Sequence, residues 1–345
     1  MLLKDYRPRP KLVTKITSIE KPKYPVVDAH NHLGSMFGGN WEQRPVNELV
    51  DRLDEAGVTL YLDLDGGWGE DILQRHLGHF KAGAPTRFCV FGGVDWSAWA
   101  EKGDAFPEWA AGRLRVQAGW GADGFKVWKP FGLKVRDPQG NLAVVDDPRL
   151  DTLWQTAGEL HLPVMFHVAD PVAFFDPIDE HNERWEELQG NPDWAFTSPP
   201  GPSFLSIVNG MANVIARHPR TTFIGAHVGC YAENLDWVGN LIERCPNFYI
   251  DISARIAELG RQPYTSRRFF LKYADRILFG TDAGPNLDYY RISYRFLETD
   301  DEYFNYTPGE IPGQGRWNIY GLYLPDEVLE KVYRLNAEKV VGNRD

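Results

Sequence analysis

The sequence predicts a (β/α)8 TIM barrel with long strand-to-helix loops at one end. Three observations predict it: short apolar, β-rich runs recur eight times, segments with helical spacing lie between them, and the long irregular stretches follow the ends of runs. An open doubly wound sheet usually stops at about six strands, so eight alternating units favour closure.

The eight runs are Val26 to His32, Val58 to Leu64, Arg87 to Val94, Gly121 to Trp128, Pro163 to Val168, Thr222 to Val228, Asn247 to Ser253 and Arg276 to Asp282. Helical spacing is read over Val46 to Ala56, Trp109 to Ala118, Leu150 to Leu160, Ile207 to Arg217, Leu235 to Arg244 and Arg267 to Tyr273. The stretches Gly66 to Gly69, Pro130 to Asp147, Asp170 to Ser203 and Pro285 to Pro325 each follow the C-terminal end of a run. A barrel builds its active-site face there, so these insertions predict an elaborate pocket on one side. From Pro325 to Val341, Val328, Leu329, Val332, Leu335 and Val340 sit mostly at helical spacing and should form the last helix. Residues 1–25 carry Arg7-Pro8-Arg9-Pro10 and Lys21-Pro22-Lys23, which predict an extended arm wrapping the barrel or a partner subunit. Residues 26–345 are then a single barrel domain, and the arm is compatible with a homodimer.

Composition narrows the function. The chain has 345 residues, 43% of them hydrophobic, enough to bury a large core. Its 37 basic and 48 acidic residues give a net charge of −11 with no basic run, which argues against nucleic acid and anionic membrane and for a small-molecule substrate. Cys89, Cys230 and Cys245 are odd in number and far apart, so neither a disulfide framework nor a thiolate zinc site is expected. A reducing, cytoplasmic setting is the default, with export behind a removed leader the alternative. No stretch reaches the roughly 18 apolar residues that cross a bilayer. The 12 Trp, 15 Tyr and 19 Phe include several in loop-like stretches, as a partly aromatic pocket or plain loop packing would require.

The first run ends Asp28-Ala29-His30-Asn31-His32. Strand alternation predicts that Asp28, His30 and His32 all point into the barrel, where two imidazoles can reach one divalent ion. An isolated His-x-His is as well explained by hydrogen-bonded core histidines. Its company changes that reading: His167 ends Pro-Val-Met-Phe-His, His227 ends Phe-Ile-Gly-Ala-His, and Asp282 ends Leu-Phe-Gly-Thr-Asp, each a lone polar group after an apolar run. Polar groups delivered to the same end of four strands predict a metal centre.

These motifs, with Gly280-Thr281-Asp282 and Asn336-Ala337-Glu338, resemble the amidohydrolase superfamily over roughly residues 26 to 341, and within it the branch containing aminocarboxymuconate-semialdehyde decarboxylase and related TIM-barrel hydrolases. The resemblance implies that His30, His32, His167 and Asp282 bind the metal and that His227 polarises substrate or activates the nucleophile. Lys126, in Gly-Phe-Lys-Val-Trp-Lys, matches the position of a carboxylated lysine that bridges two ions in binuclear members. One ion is favoured; with two, Lys126 and His227 become ligands. Zinc is the expected metal, and manganese or iron also suits His and carboxylate ligands.

A divalent ion with an open position makes hydroxide available near neutral pH, which predicts hydrolysis of an ester, lactone or amide bearing a ring or a carboxylate. Asp282 is placed to ligate and to move a proton, His227 to stabilise an oxyanion, and Asp28 to orient a histidine from behind. Arg255 is a candidate clamp for a substrate carboxylate, and Trp128 and Lys126 are candidate substrate contacts, with Trp68, Lys129, Phe174, Phe175, His181, Trp185 and Tyr231 as further loop residues. The alternative reaction at the same residues is non-oxidative decarboxylation of an aromatic or dienoic acid. A barrel that only binds a ligand is the third reading. His76, His79, His161 and His218 are expected to be structural.

Overall fold

The computed structural model describes residues 6, 8–35, 39–197 and 201–342. Eight parallel strands follow one another in sequence order: β1 Val26–Asn31, β2 Val58–Asp63, β3 Phe88–Gly92, β4 Gly124–Val127, β5 Val164–Phe166, β6 Phe223–Gly225, β7 Phe248–Asp251 and β8 Ile277–Leu278. Ladders run from β1 to β8, and Ala29 N–H donating to Phe279 O and Asp282 N–H donating to His30 O, both at 2.9 Å, draw the two edge strands together. The chain is a TIM barrel.

Alternation along the strands divides the core. Val26, Tyr61, Phe125, Phe223 and Phe248 face the helices, whereas Val27, Leu62, Met165, Ile224, Tyr249 and Leu278 fill the barrel. In the outer layer the fully buried Trp154 packs against Phe166 at 5.2 Å and Phe125 at 5.9 Å between ring centres.

The helices follow local sequence rules. Val46–Ala56 buries Leu49, Leu53 and Ala56, one stripe of its surface, and stops at Gly57, whose φ of 80° suits a residue without Cβ. Helices Phe106–Trp120, Asp151–Glu159, Phe204–Arg217, Leu235–Arg244 and Pro263–Lys272 occupy the other expected positions within a few residues. The expected last helix is three consecutive helical segments, Asp326–Glu330, Lys331–Leu335 and Asn336–Val341, the middle one a π-turn. No helix among the described residues is long and apolar enough to cross a membrane.

Two expectations are corrected. The stretch after β8 is not wholly irregular: Leu287–Glu298 is a helix, started by Asn286 Oδ1, which accepts from Asp288 N–H at 3.0 Å, and it buries Tyr290, Tyr294 and Leu297 on the barrel wall. The strand alternation expected across Asp28, His30 and His32 is not kept either. Asp28 pairs with Tyr61 but Asn31 pairs with Asp63, so β1 carries an extra residue between them. Val27 and Ala29 face the barrel, so Asp28 faces the outer layer, where Tyr290 Oη donates to it at 2.7 Å, and the bulge after Asp28 brings His30 back to the barrel side.

Residues 8–25 have no regular secondary structure and are fastened to the barrel by Lys15–Asp300, Thr17–Asp301 and Lys23–Asp326 contacts. Residues 1–5 and Arg7 of the expected arm lie outside the described residues.

Candidate metal centre

His30 and His32 leave the C-terminal end of β1 and are each held at Nδ1 by a carboxylate. Asp251, at the end of β7, accepts from His30 Nδ1 at 2.9 Å, and Asp65, just after β2, accepts from His32 Nδ1 at 2.7 Å. With Nδ1 held by a carboxylate, Nε2 of each ring is directed into the barrel mouth. His32 Nε2 faces Asp282 Oδ1 at 3.3 Å. Without an ion a proton on His32 Nε2 satisfies the pair, and a divalent ion that displaced this proton would take both atoms as donors.

Asp282 follows β8 with φ of 53° and lies within reach of both β1 histidines: His30, His32 and Asp282 offer ligand atoms within 4.8 Å of one another. His30 Nε2 and His167 Nε2 are buried without a hydrogen-bond partner. An orphaned imidazole nitrogen beside a carboxylate is what a divalent ion takes as donor, so His30, His32 and Asp282 fit a metal ion, while His167, also expected as a ligand, is not part of that grouping. A second grouping, His30, His227 and Asp251, meets the same distance limit, but its carboxylate is already saturated. Asp251 Oδ1 accepts His227 N–H and Ser253 N–H, both at 3.0 Å, and the Ser253 hydroxyl, while its Oδ2 takes His30.

His227 does not sit at a strand end. It opens a left-handed turn in which His227, Val228, Gly229 and Cys230 have φ of 56°, 60°, 64° and 60°. Each non-glycine residue there costs about 1–2 kcal/mol, and such strain is found at functional sites. Close approach makes the turn possible, since a Cβ on Gly225 would lie 2.7 Å from Gly229 Cα. The His227 Nδ1–H donates to Ser253 O at 2.9 Å, and Nε2 points toward Asp282 Oδ2 at 4.0 Å.

His167 stands on the far side, its ring 4.4 Å from that of His227 and its Nε2 3.5 Å from Asp170 Oδ1. It is outside the 4.8 Å grouping of His30, His32 and Asp282. Asp170 is paired with Lys129 Nζ at 2.8 Å.

Electrostatics follow from burial. Burial holds His167 neutral, with its pKa pushed down to about 3, and pushes His227 well below the usual histidine range. Burial opposes charge on His32 too, but hydrogen bonds to Asp282 and Asp65 outweigh it and raise its pKa to about 9.

Lys126 is fully buried on β4, with Nζ 3.5 Å from Met165 Sδ and 4.8 Å from the centre of the Trp128 ring; burial lowers its pKa to about 8. It is not among the described residues that line the cavity over the metal centre. Asp28 touches neither imidazole ring. It accepts from His30 N–H at 3.4 Å, Thr281 N–H at 3.1 Å and Thr281 Oγ1 at 2.8 Å, so it braces the backbone at His30 and the residue beside Asp282.

The cavity measures about 1190 Å³ and its floor is formed by His30, His32, His167, His227 and Asp282. Its walls mix aromatic and charged residues: Trp68 stacks on Trp128 with ring centres 3.9 Å apart, Trp41, Phe174 and Trp194 add further rings, and Arg44, Arg52 and Glu187 are among the charged groups. Arg255 also lines it, 6% exposed, with Nη1 donating to Ala254 O at 2.8 Å. Of the other expected loop contacts, Lys129 is in the lining and Phe175, His181, Trp185 and Tyr231 are not. Arg184 was not anticipated; it lines the cavity, is buried and pairs with Glu187 at 2.6 Å and with Glu258, fastening the long loop after β5 to the segment after β7.

Sequence reasoning also missed Asp65 and Asp251. The available signal was an acidic residue at or just past a strand end, in Leu62-Asp63-Leu64-Asp65 and Tyr249-Ile250-Asp251.

Solved structures with this fold include 2,6-dihydroxybenzoate decarboxylase from Rhizobium, 17% identical over 92% of this chain and 99% of that one, with a TM-score of 0.58. A dihydroxybenzoic acid decarboxylase from Polaromonas with bound manganese and 2-nitroresorcinol is 16% identical over 93% and 98%, TM-score 0.58. A 5-carboxyvanillate decarboxylase from Novosphingobium aromaticivorans, complexed with manganese and a nitrobenzoic acid, is 13% identical over 95% and 100%, TM-score 0.55. No curated protein sequence matches the chain. The model of the amidohydrolase family matches residues 27–342, and with that match across the barrel and its histidine–aspartate centre the chain belongs to the metal-dependent amidohydrolase family of enzymes.

Proposed function

We propose that the chain is a metal-dependent decarboxylase acting without an oxidant on an aromatic or dienoic acid. The observation that carries the reading is the position of the His30–His32–Asp282 grouping at the floor of a tryptophan-walled cavity, where a flat acid fits carboxylate first. The decarboxylases with the same fold act on substituted benzoic acids, which suits such a cavity. We take His30, His32, His167 and Asp282 as the ligands of one ion. When bound, that ion supplies a Lewis acid that neutralises and orients the substrate's oxygen atoms.

This chain's own residues do the rest. Trp68 and Trp128 give the ring an apolar wall and keep water from it. Arg255 offers guanidinium N–H groups to a carboxylate or phenolate on the substrate. Loss of carbon dioxide leaves the bonding pair on the ring or diene carbon, which then takes one proton. Asp282 and His227, 4.0 Å apart at the floor, are the groups we assign to hold and deliver it. Donors of this kind suit zinc, manganese and iron alike. Manganese, present in two of the similar structures, is the first ion to test.

Hydrolysis of an ester, lactone or amide is the competing reaction, favoured by the same His227–Asp282 pair, which is equally placed to take a proton from water. Manganese-loaded protein is assayed in isotopically labelled water against hydroxybenzoic and dienoic acids and, in parallel, against their esters, amides and lactones. Carbon dioxide release with no solvent oxygen in the product supports decarboxylation. Solvent oxygen in the product without carbon dioxide overturns it in favour of hydrolysis.

A further inference from the structure

We infer that His76 is a positioning residue: held between Asp63 and Glu42, it fixes the carboxylate pair that aims His32 into the metal centre. The inference rests on the metal-site reading above. His76 ends helix Glu70–His76 and is fully buried. Its Nδ1 donates to Asp63 Oδ2 at 2.5 Å and its Nε2 to Glu42 Oε2 at 3.0 Å. A carboxylate accepts but does not donate, so both ring nitrogens carry a proton and the imidazolium offsets buried negative charge.

From His76 the contacts lead to the metal centre in two steps. Asp63 Oδ1 accepts from Leu33 N–H at 3.2 Å and Asp65 N–H at 3.4 Å. Asp65 Oδ2 accepts from Leu33 N–H at 3.0 Å and Gly34 N–H at 2.7 Å, while its Oδ1 holds His32 Nδ1 at 2.7 Å. The backbone just after His32 is thus gripped by both carboxylates. The ring also packs beside that backbone: a Cβ on Gly34 would lie 3.4 Å from His76 Cε1. At the other end, Glu42 belongs to the turn Trp41–Gln43, whose Trp41 lines the cavity, so one imidazole joins the ligand strand to the cavity wall. Without it, Asp63 loses its partner and lies as a buried carboxylate beside Asp65, which His32 holds, Glu42 keeps only Arg75 at 3.6 Å, and the grip on the backbone after His32 loosens.

The test uses the full chain, with Co2+ as both ligand and spectroscopic probe. His76→Gln is expected to fold, to bind Co2+ about tenfold more weakly and to shift the cobalt absorption bands, since partners one shell behind a ligand typically change affinity 10–100-fold. A lower melting temperature with wild-type cobalt affinity and an unchanged spectrum would mean a merely structural role and overturn the inference. If His76→Gln does not fold, Glu42→Leu, which removes the outer acceptor together with its 3.6 Å contact to Arg75, decides, with Arg75→Ala as the control for that contact: a loss of about threefold or more in affinity beyond the control supports the inference, and an affinity equal to the control's overturns it. Wild-type chain that binds no Co2+ would overturn both this inference and the metal reading; wild-type binding indifferent to these substitutions overturns only the role of His76.

Discussion

Replacing Asp251 with Asn leaves shape almost unchanged and reverses one hydrogen bond that matters. The carboxylate takes four donors: His30 Nδ1–H at 2.9 Å, His227 N–H and Ser253 N–H at 3.0 Å each, and the Ser253 hydroxyl. An amide keeps the three on Oδ1 only if its oxygen lies there, which turns its NH2 toward His30. His30 must then accept at Nδ1 and carry its proton on Nε2, the atom that faces the metal centre. The lone pair that binds the ion is lost to the wrong tautomer, the effect by which an Asp-to-Asn change disables a catalytic histidine. The opposite amide orientation sets NH2 against three donors at about 1–3 kcal/mol for each unsatisfied group, so the tautomer change is the cheaper outcome. Loss of such a support weakens metal affinity about 10–100-fold, which is about 1.4–2.8 kcal/mol. Competition with a chelator of known affinity, read by the metal content of the recovered protein, measures it. D251N protein that binds manganese as tightly as the wild type would refute the assignment of His30 as a ligand through Nε2.

Three further outcomes are expected. Arg255→Met should raise KM for an acid substrate about tenfold or more with a smaller change in kcat, because a guanidinium–carboxylate contact formed on binding is lost; steady-state kinetics on the substrate found above check it, and an equal loss in kcat alone counts against the clamp. Trp154→Ala should destabilise the fold by about 3–5 kcal/mol, since the indole is fully buried between Phe166 and Phe125; a denaturant midpoint close to wild type would contradict that packing. Burial opposes the charge on Asp301, but Thr17 and Arg295 hold its pKa below the usual carboxylate value, so its contribution is present above about pH 4 and fades as pH falls through the folded-state value. D301N should therefore be less stable than wild type at neutral pH, with the difference in melting temperature shrinking in acid; parallel pH curves would exclude this account.

Residues near one another in the chain were the legible ones. Short, continuously apolar runs and segments of period 3.6 between them set eight strands and most helices, because the strands are buried on both faces and the helices on one. The lone polar residues His167 and Asp282 were visible for the same reason, since each interrupts an apolar stretch at the end of a barrel strand. The helix Leu287–Glu298 was hidden by its aromatic, mixed composition inside a stretch that also contains real loops.

Tertiary structure decided what depends on partners far along the chain. Unbroken alternation would give Asp28 and His30 one face, but the pairing of β1 with β2 inserts a bulge between them, so Asp28 meets Tyr290, a partner 262 residues away, while His30 faces the barrel. His227 reads as a strand end, yet closure of the sheet over Asp251 and Ser253 stabilises a left-handed turn that no local preference of histidine or valine would select. The sequence by itself named the histidines and the aspartate of the centre. Only the fold determined which nitrogen each histidine presents, because that choice belongs to Asp65 and Asp251, carboxylates brought to His32 and His30 by strand order rather than by spacing.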